Sequence, residues 1–212
     1  GDEDRGAEAA PLGRVDAPAA RAPGRLRYLA QLRDTFLLCE GSGGLVIVDR
    51  HTADARVRAA SLRRALEATR PTASSRRLLF PERVELTAAE VARLTEVTPE
   101  LERLGFDVGL LGPSTVAVRA VPEPLVRVCP EALLRDVVDA LKAAGRGNRA
   151  QALDDAIVAM ARRAAVRAGE DMTATEGAAL LDALAAAGEV LGQGGEGTWS
   201  IAFDEIERRT RG

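Results

Sequence analysis

The sequence predicts an α+β fold in two lobes. The inner lobe is discontinuous, made of residues 24–72 and 146–212, and an outer α+β lobe of residues 73–145 is inserted between its halves. Three observations predict it. A meander of short apolar stretches opens the ordered part of the chain. Strand, helix, strand, strand and helix patterns follow between residues 76 and 145. Two further helical stretches close the chain, and they are the elements left to cover the apolar faces of the first three strands.

Each element has a local reason. Residues 1–23 hold Pro11, Pro18 and Pro23 among alanines, glycines and charges, with no periodic apolar face. They are expected to be a flexible linker tail, as in a fragment from the end of a longer protein. Residues 25–31 and 35–40 read as strands joined by an Arg33-Asp34 turn, and Gly41-Ser42-Gly43-Gly44 is the next turn. The unbroken apolar run Leu45-Val46-Ile47-Val48 is the signature of a strand covered on both faces. Asp49 ends that strand, and a helix is expected over 52–69 with Ala53, Val57, Ala60 and Ala65 near one face. The loop at 71–75 marks a lobe boundary.

A strand over 78–86 opens the outer lobe. Thr87 and Glu90 make a capping box for a helix carrying Val91, Leu94, Leu101 and Leu104. Thr98-Pro99 interrupts it, as a kink or as a restart with Thr98 as N-cap, and Gly105 stops it. Residues 106–111 and 115–121 read as a hairpin around Gly112-Pro113-Ser114. Pro130 suits a first helical position, and Leu134, Val137, Val138 and Leu141 then form a stripe closed by Gly145. Helices are expected at 150–167 and 173–187. The second is capped by Thr173 with Glu176, carries Leu180, Leu181, Leu184 and Ala187 on one face, and ends at Gly188. A glycine-rich loop at 192–197, a strand at 199–203 and a helical turn at 204–209 capped by Asp204 complete the order.

Composition excludes several function classes. Hydrophobic residues at 46% and charged residues at 29% are the balance of a globular chain, not of a disordered one. No stretch approaches the ~20 apolar residues of a membrane span, and no signal-peptide pattern opens the sequence. Two cysteines, Cys39 and Cys129, make no disulfide framework and suit a reducing compartment, so a cytoplasmic location is expected. A single histidine, His51, excludes any mechanism that needs two. A net charge of -3 does not describe a general polyanion binder.

Several local strings follow one another across residues 24–209. They are Tyr28-Leu29-Ala30-Gln31-Leu32-Arg33-Asp34-Thr35-Phe36-Leu37-Leu38 and Leu45-Val46-Ile47-Val48-Asp49-Arg50-His51-Thr52-Ala53. Then come Leu78-Leu79-Phe80-Pro81, Leu104-Gly105-Phe106, Val118-Arg119-Ala120-Val121-Pro122 and Ala164-Ala165-Val166-Arg167-Ala168-Gly169. Taken in this order they resemble the C-terminal domain of the MutL mismatch-repair family. The resemblance implies that the inner lobe dimerises and the outer lobe is regulatory. It also implies N-terminal ATPase arms elsewhere in the whole protein. The family has two versions of this domain. One is a metal-dependent endonuclease that nicks DNA, and the other has lost that site and keeps dimerisation and partner contacts.

The endonuclease motif of the family reads D-Q-H-A, two residues, E, four residues, E. A carboxylate and an imidazole at a strand end, followed by glutamates along a helix, hold divalent metal beside a phosphodiester. Asp49 and His51 match, but Arg50 and Thr52 replace the glutamine and alanine, and both glutamate positions fall on alanines, Ala55 and Ala60. The family's alanine-cysteine string falls on Ala161-Arg162, and its C-P-H-G-R loop aligns roughly with residues 191–195, which supply neither cysteine nor histidine. An arginine in place of a thiolate repels a divalent cation. Asp49 and His51 therefore read as remnants, with no metal or other cofactor expected in this fragment. Asp54, Cys39 and Glu196 are the nearest substitutes by sequence, and Asp49, His51 and Glu196 are the makeshift set a residual nuclease would use.

Residues 50–77 carry eight arginines against Asp54 and Glu67, a local charge of +6. Arg50, Arg56, Arg63 and Arg64 are candidates for weak contact with a DNA backbone, against the plainer reading of a solvated helix face. Arg76-Arg77-Leu78-Leu79-Phe80-Pro81 stands where the family carries a sliding-clamp string, Q-x-x-(L/I)-x-P. Leu79 and Pro81 match and Arg76 replaces the glutamine, against the reading of Leu79 as an ordinary core leucine. The loop at 192–197 lacks the lysine and hydroxyl of a phosphate-binding loop.

The expected function is the homodimerisation and partner-binding domain of a mismatch-repair protein, with no enzyme activity in the fragment. Its expected partners are a second copy, other mismatch-repair proteins and the sliding clamp, with weak DNA contact and no membrane. The alternative is a residual metal-dependent DNA-nicking endonuclease using Asp49 and His51. A monomeric adaptor is a third reading.

Overall fold

The computed structural model describes residues 26–68, 74–145, 147–165, 171–188 and 197–211. The linker tail expected at 1–23, most of the glycine-rich loop with Glu196, and the stretch aligned with C-P-H-G-R lie outside the described residues. In chain order the elements are β1 (Arg27–Leu32), β2 (Phe36–Glu40), β3 (Gly44–Asp49), α1 (Arg50–Glu67), β4 (Ser75–Glu85), α2 (Ala88–Glu96), α3 (Thr98–Leu104), β5 (Asp107–Leu110), β6 (Thr115–Pro122), a 3-10 turn at Glu123–Leu125, α4 (Pro130–Ala143), α5 (Arg149–Ala164), α6 (Ala174–Ala186), β7 (Thr198–Ala202) and α7 (Phe203–Arg211).

Two antiparallel sheets result. The first has the order β1-β2-β3-β7, so a strand from the far end of the chain completes the opening meander. Arg33 and Asp34 turn β1 into β2 with φ of 51° and 52°, left-handed values whose twist matches that of the flanking strands. The second sheet has the order β4-β6-β5.

The helix boundaries follow from their caps. Asp49 accepts a hydrogen bond from the Thr52 amide at 2.7 Å, so α1 starts two residues earlier than the apolar spacing predicts. Thr87–Glu90 and Thr173–Glu176 both form the reciprocal capping box. At Thr98-Pro99 the chain restarts. Val97 takes the cap position, and the Thr98 hydroxyl bonds back to the Leu94 carbonyl at 3.3 Å instead of capping α3. Gly105 ends α3 at φ 100°, as a left-handed C-cap requires. Asp204 lies inside the first turn of α7, which begins at Phe203, so it is not the cap expected there.

Packing divides the apolar residues into two clusters. The smaller joins Leu37, Cys39, Val46 and Val48 of the first sheet to Ala53 of α1 and Leu181 and Leu184 of α6. The approach of α6 is close: a Cβ on Gly177 would stand 2.5 Å from the Tyr28 ring, so only glycine fits there. The larger cluster lies under the second sheet. It takes Val91, Leu101, Leu134 and Val138 from the inserted region, Leu62 from α1, and Leu153, Ile157 and Met160 from α5. The expectation that both late helices cover the first sheet therefore holds for α6 alone. The apolar face of α5 is spent on α1 and α4.

Strand β3 also departs from expectation. Gly44, Val46 and Val48 are buried, while Leu45, Ile47 and Asp49 are half-buried. Its apolar run is covered on one face within the chain, not on both.

Candidate functional site

The uncovered side of the first sheet is apolar. Residues directly opposite on antiparallel strands share a face. The row Leu38–Ile47–Trp199, the pair Leu45–Ile201 and the pair Leu32–Phe36 therefore lie together, opposite the face that α1 and α6 cover. None of these seven belongs to either core cluster. Trp199 is 57% exposed, and Leu32 and Phe36 are also exposed. Composition reasoning singled out the run 45–48 and missed Leu38, Trp199 and Ile201. The signal that finds them is the register: it aligns alternate residues of four strands only once β7 is known to pair with β3.

Asp49 and His51 stand where the motif puts them, at the end of β3 and in the first turn of α1. The Asp49 carboxylate is engaged in capping the helix. His51 lines a cavity of about 370 Å³ between α1 and α5, together with Ala55, Arg56, Arg63 and Arg162. Both family glutamate positions are alanines here as well as in the alignment of strings, with Ala55 buried and Ala60 half-buried. Cys39 is no nearby thiolate. It lies on the helix-covered face of β2, and burial pushes its thiol up to about 12. Asp54 pairs with Arg58 at 2.9 Å. Among the described residues, no three His, Cys, Asp or Glu side chains gather as a metal set.

The four arginines grouped by sequence separate in space. Arg50 is 6% exposed and turned into the protein, which corrects its reading as a contact for DNA. It lies near enough to Glu176 to add to the lowering of that carboxyl by the Thr173 amide and hydroxyl. Arg64 is exposed on another side of α1, with its Nε on the Ala60 carbonyl at 3.3 Å. Arg56 and Arg63, seven residues apart and so two turns along one face, share the cavity with Arg162. Arg63 is held by Asp154 through two bonds of 2.5 and 3.0 Å, and that guanidinium lowers the Asp154 carboxyl below its ordinary range.

The clamp-like string lies on β4 at a break in pairing. Arg77 faces Ala120 and Glu82 faces Val118, so four residues of β4 span one of β6. Leu79 is 96% exposed and Phe80 84%, while Leu78 packs toward the larger core. Leu79 is thus not a core residue. Arg76, in place of the glutamine, lies 3.7 Å from Glu123. Among the described residues no helix is long and apolar enough to cross a membrane.

Comparison with known proteins places this geometry. The family model described as "MutL C terminal dimerisation domain" matches residues 29–172. A DNA mismatch repair protein MutL of Anaeromyxobacter dehalogenans (strain 2CP-1) is 37% identical over 188 residues, covering 81% of this chain and 31% of the relative. One of Acidiphilium cryptum is 38% identical over 158 residues, 74% of this chain and 27% of the relative. One of Pseudomonas paraeruginosa is 34% identical over 209 residues, 94% of this chain and 32% of the relative. The chain spans about a third of the length of these relatives. It belongs to the MutL C-terminal dimerisation domain family.

Proposed function

We propose that this chain pairs with a second copy through the uncovered face of its first sheet, and that it carries no working endonuclease centre. The observation that carries the first part is the apolar set Leu32, Phe36, Leu38, Ile47, Trp199 and Ile201, assembled on one side of the sheet and claimed by neither core. A sheet face of this kind stays wet in a single chain, and a two-fold partner presenting the same face buries it. In a longer protein, such pairing holds two N-terminal ATPase arms at high effective concentration, so their closure becomes intramolecular.

The second part rests on donor chemistry. A divalent cation at the end of β3 needs several anionic or soft ligands. The side chains around the cavity include one imidazole and three arginines, the Asp49 carboxylate is occupied at the helix end, and the family's glutamate positions are alanines. Such a set does not fit a two-carboxylate metal centre, and no reaction step is assigned to it. A nicking assay on supercoiled plasmid with manganese tests this. No nicking above an Asp49→Asn control is expected, and Asp49-dependent nicking contradicts it.

The exposure of Leu79 and Phe80 favours a further contact. An extended, unpaired segment with two apolar side chains in solvent suits insertion into an apolar groove such as that of the sliding clamp. Leu79→Ala with Pro81→Ala is expected to abolish clamp capture in a pull-down while leaving pairing intact. Unchanged capture removes this reading.

A further inference from the structure

We propose that the cavity between α1 and α5 is a built site for a phosphate ester, with Arg56, Arg63 and Arg162 gripping the phosphate oxyanion. Three guanidinium groups from two helices line one cavity of about 370 Å³, and no carboxylate lines it among the described residues. Guanidinium forks match phosphate oxygens in pairs, and a site with three of them strongly favours an anion over a cation. Arg63 is pre-set by Asp154, whose carboxylate takes both the Nε and an Nη of that guanidinium from outside the cavity lining. Ala55, Ala59 and Val158 supply an apolar wall, against which the sugar of an esterified phosphate packs, so the site favours an ester over a bare ion. The helix end itself is not the seat, because Asp49 already holds the Thr52 amide.

This deepens the reading of a basic helix face. It assigns a defined pocket, and it recruits Arg162, more than a hundred residues away along the chain from Arg56. A DNA backbone and a free nucleotide offer the same chemistry, so the experiment separates them. The 212-residue chain is titrated with thymidine monophosphate, with thymidine as the phosphate-free control, and with a labelled DNA duplex in competition. Thymidine monophosphate is expected to bind and thymidine not to. Arg56→Gln and Arg162→Gln are each expected to weaken binding about tenfold, the scale of a lost charged hydrogen bond. Each is also expected to cut the salt slope of duplex binding by about one. Arg135→Gln, on α4 and paired there with Glu131, serves as the neutral control. Circular dichroism and solution mass check that the variants fold, and Arg162 is exposed enough for its single variant to do so.

Competition by duplex supports the site with DNA as the source of the phosphate. Nucleotide binding without competition supports it with a free nucleotide. The proposal is overturned if the nucleotide does not bind, if thymidine binds equally well, or if binding survives in the Arg56→Gln, Arg162→Gln double variant. Duplex binding with no nucleotide binding leaves only diffuse surface contact, and the pocket assignment falls.

Discussion

The two cysteines make opposite demands on a thiol reagent. Cys39 sits in the core with its thiol pushed up to about 12 by burial, whereas Cys129 is exposed, with its sulfur 3.2 Å from a Glu82 carboxylate oxygen. In the folded protein a disulfide reagent should modify one thiol per chain, and mapping should find it at Cys129. Rapid labelling of Cys39 without denaturant contradicts the packing of the smaller cluster. Glu90 gives a second check. The Lys142 side chain, then the Thr87 amide and hydroxyl, hold its carboxyl down to about 2, against an ordinary value of about 4.5. A carboxyl depressed on folding contributes stability above its unfolded pKa, and that contribution is lost as pH falls through the folded value. The thermal midpoint of the wild type should therefore drop more than that of Glu90→Gln between about pH 5 and pH 2. Parallel pH profiles contradict the assignment. At this scale the Asp49–His51 remnant was legible because it is a string of neighbours. The division of the arginines was not, because it depends on where α1 begins. The Asp49 cap sets that phase and sends Arg50 inward and Arg56 outward.

The elements were mostly legible from caps and breakers, and where they were, single changes have predictable costs. Thr87→Ala and Thr173→Ala each remove one half of a capping box and should destabilise the chain by about 1 kcal/mol, read from denaturant midpoints. Ile157→Ala tests the less legible part. If α5 is committed to the larger core, this fully buried side chain should cost about 2–5 kcal/mol. It should also leave self-association unchanged in whatever remains folded. The helical stripe of α5 announces a buried face but not which neighbour buries it. Sequence order suggested the first sheet, and packing gave the face to α1 and α4 instead. Strand β3 misled for a related reason. An apolar run marks two faces that avoid water, and it does not say whether the second cover comes from the same chain or from another.

At the scale of the whole molecule, the first sheet has a helix layer on one side only. The second sheet belongs to a cluster fed by six helical and strand elements besides α5. The imbalance is what a pairing module requires: one lobe closed on itself, the other completed by a partner. Apolar side chains across four strands supply the driving force for burial, at roughly 25 cal/mol per Å² of apolar surface removed from water. An aspartate placed in the middle row opposes it by stranding a charge in that interface. The decisive measurement is the solution mass of the chain at micromolar concentration by light scattering, alongside that of Ile47→Asp. The prediction is twice the chain mass for the wild type and a folded single chain for the variant, with the far-ultraviolet circular dichroism spectrum unchanged. A wild type that remains a single chain, or an Ile47→Asp variant that still pairs, contradicts the account.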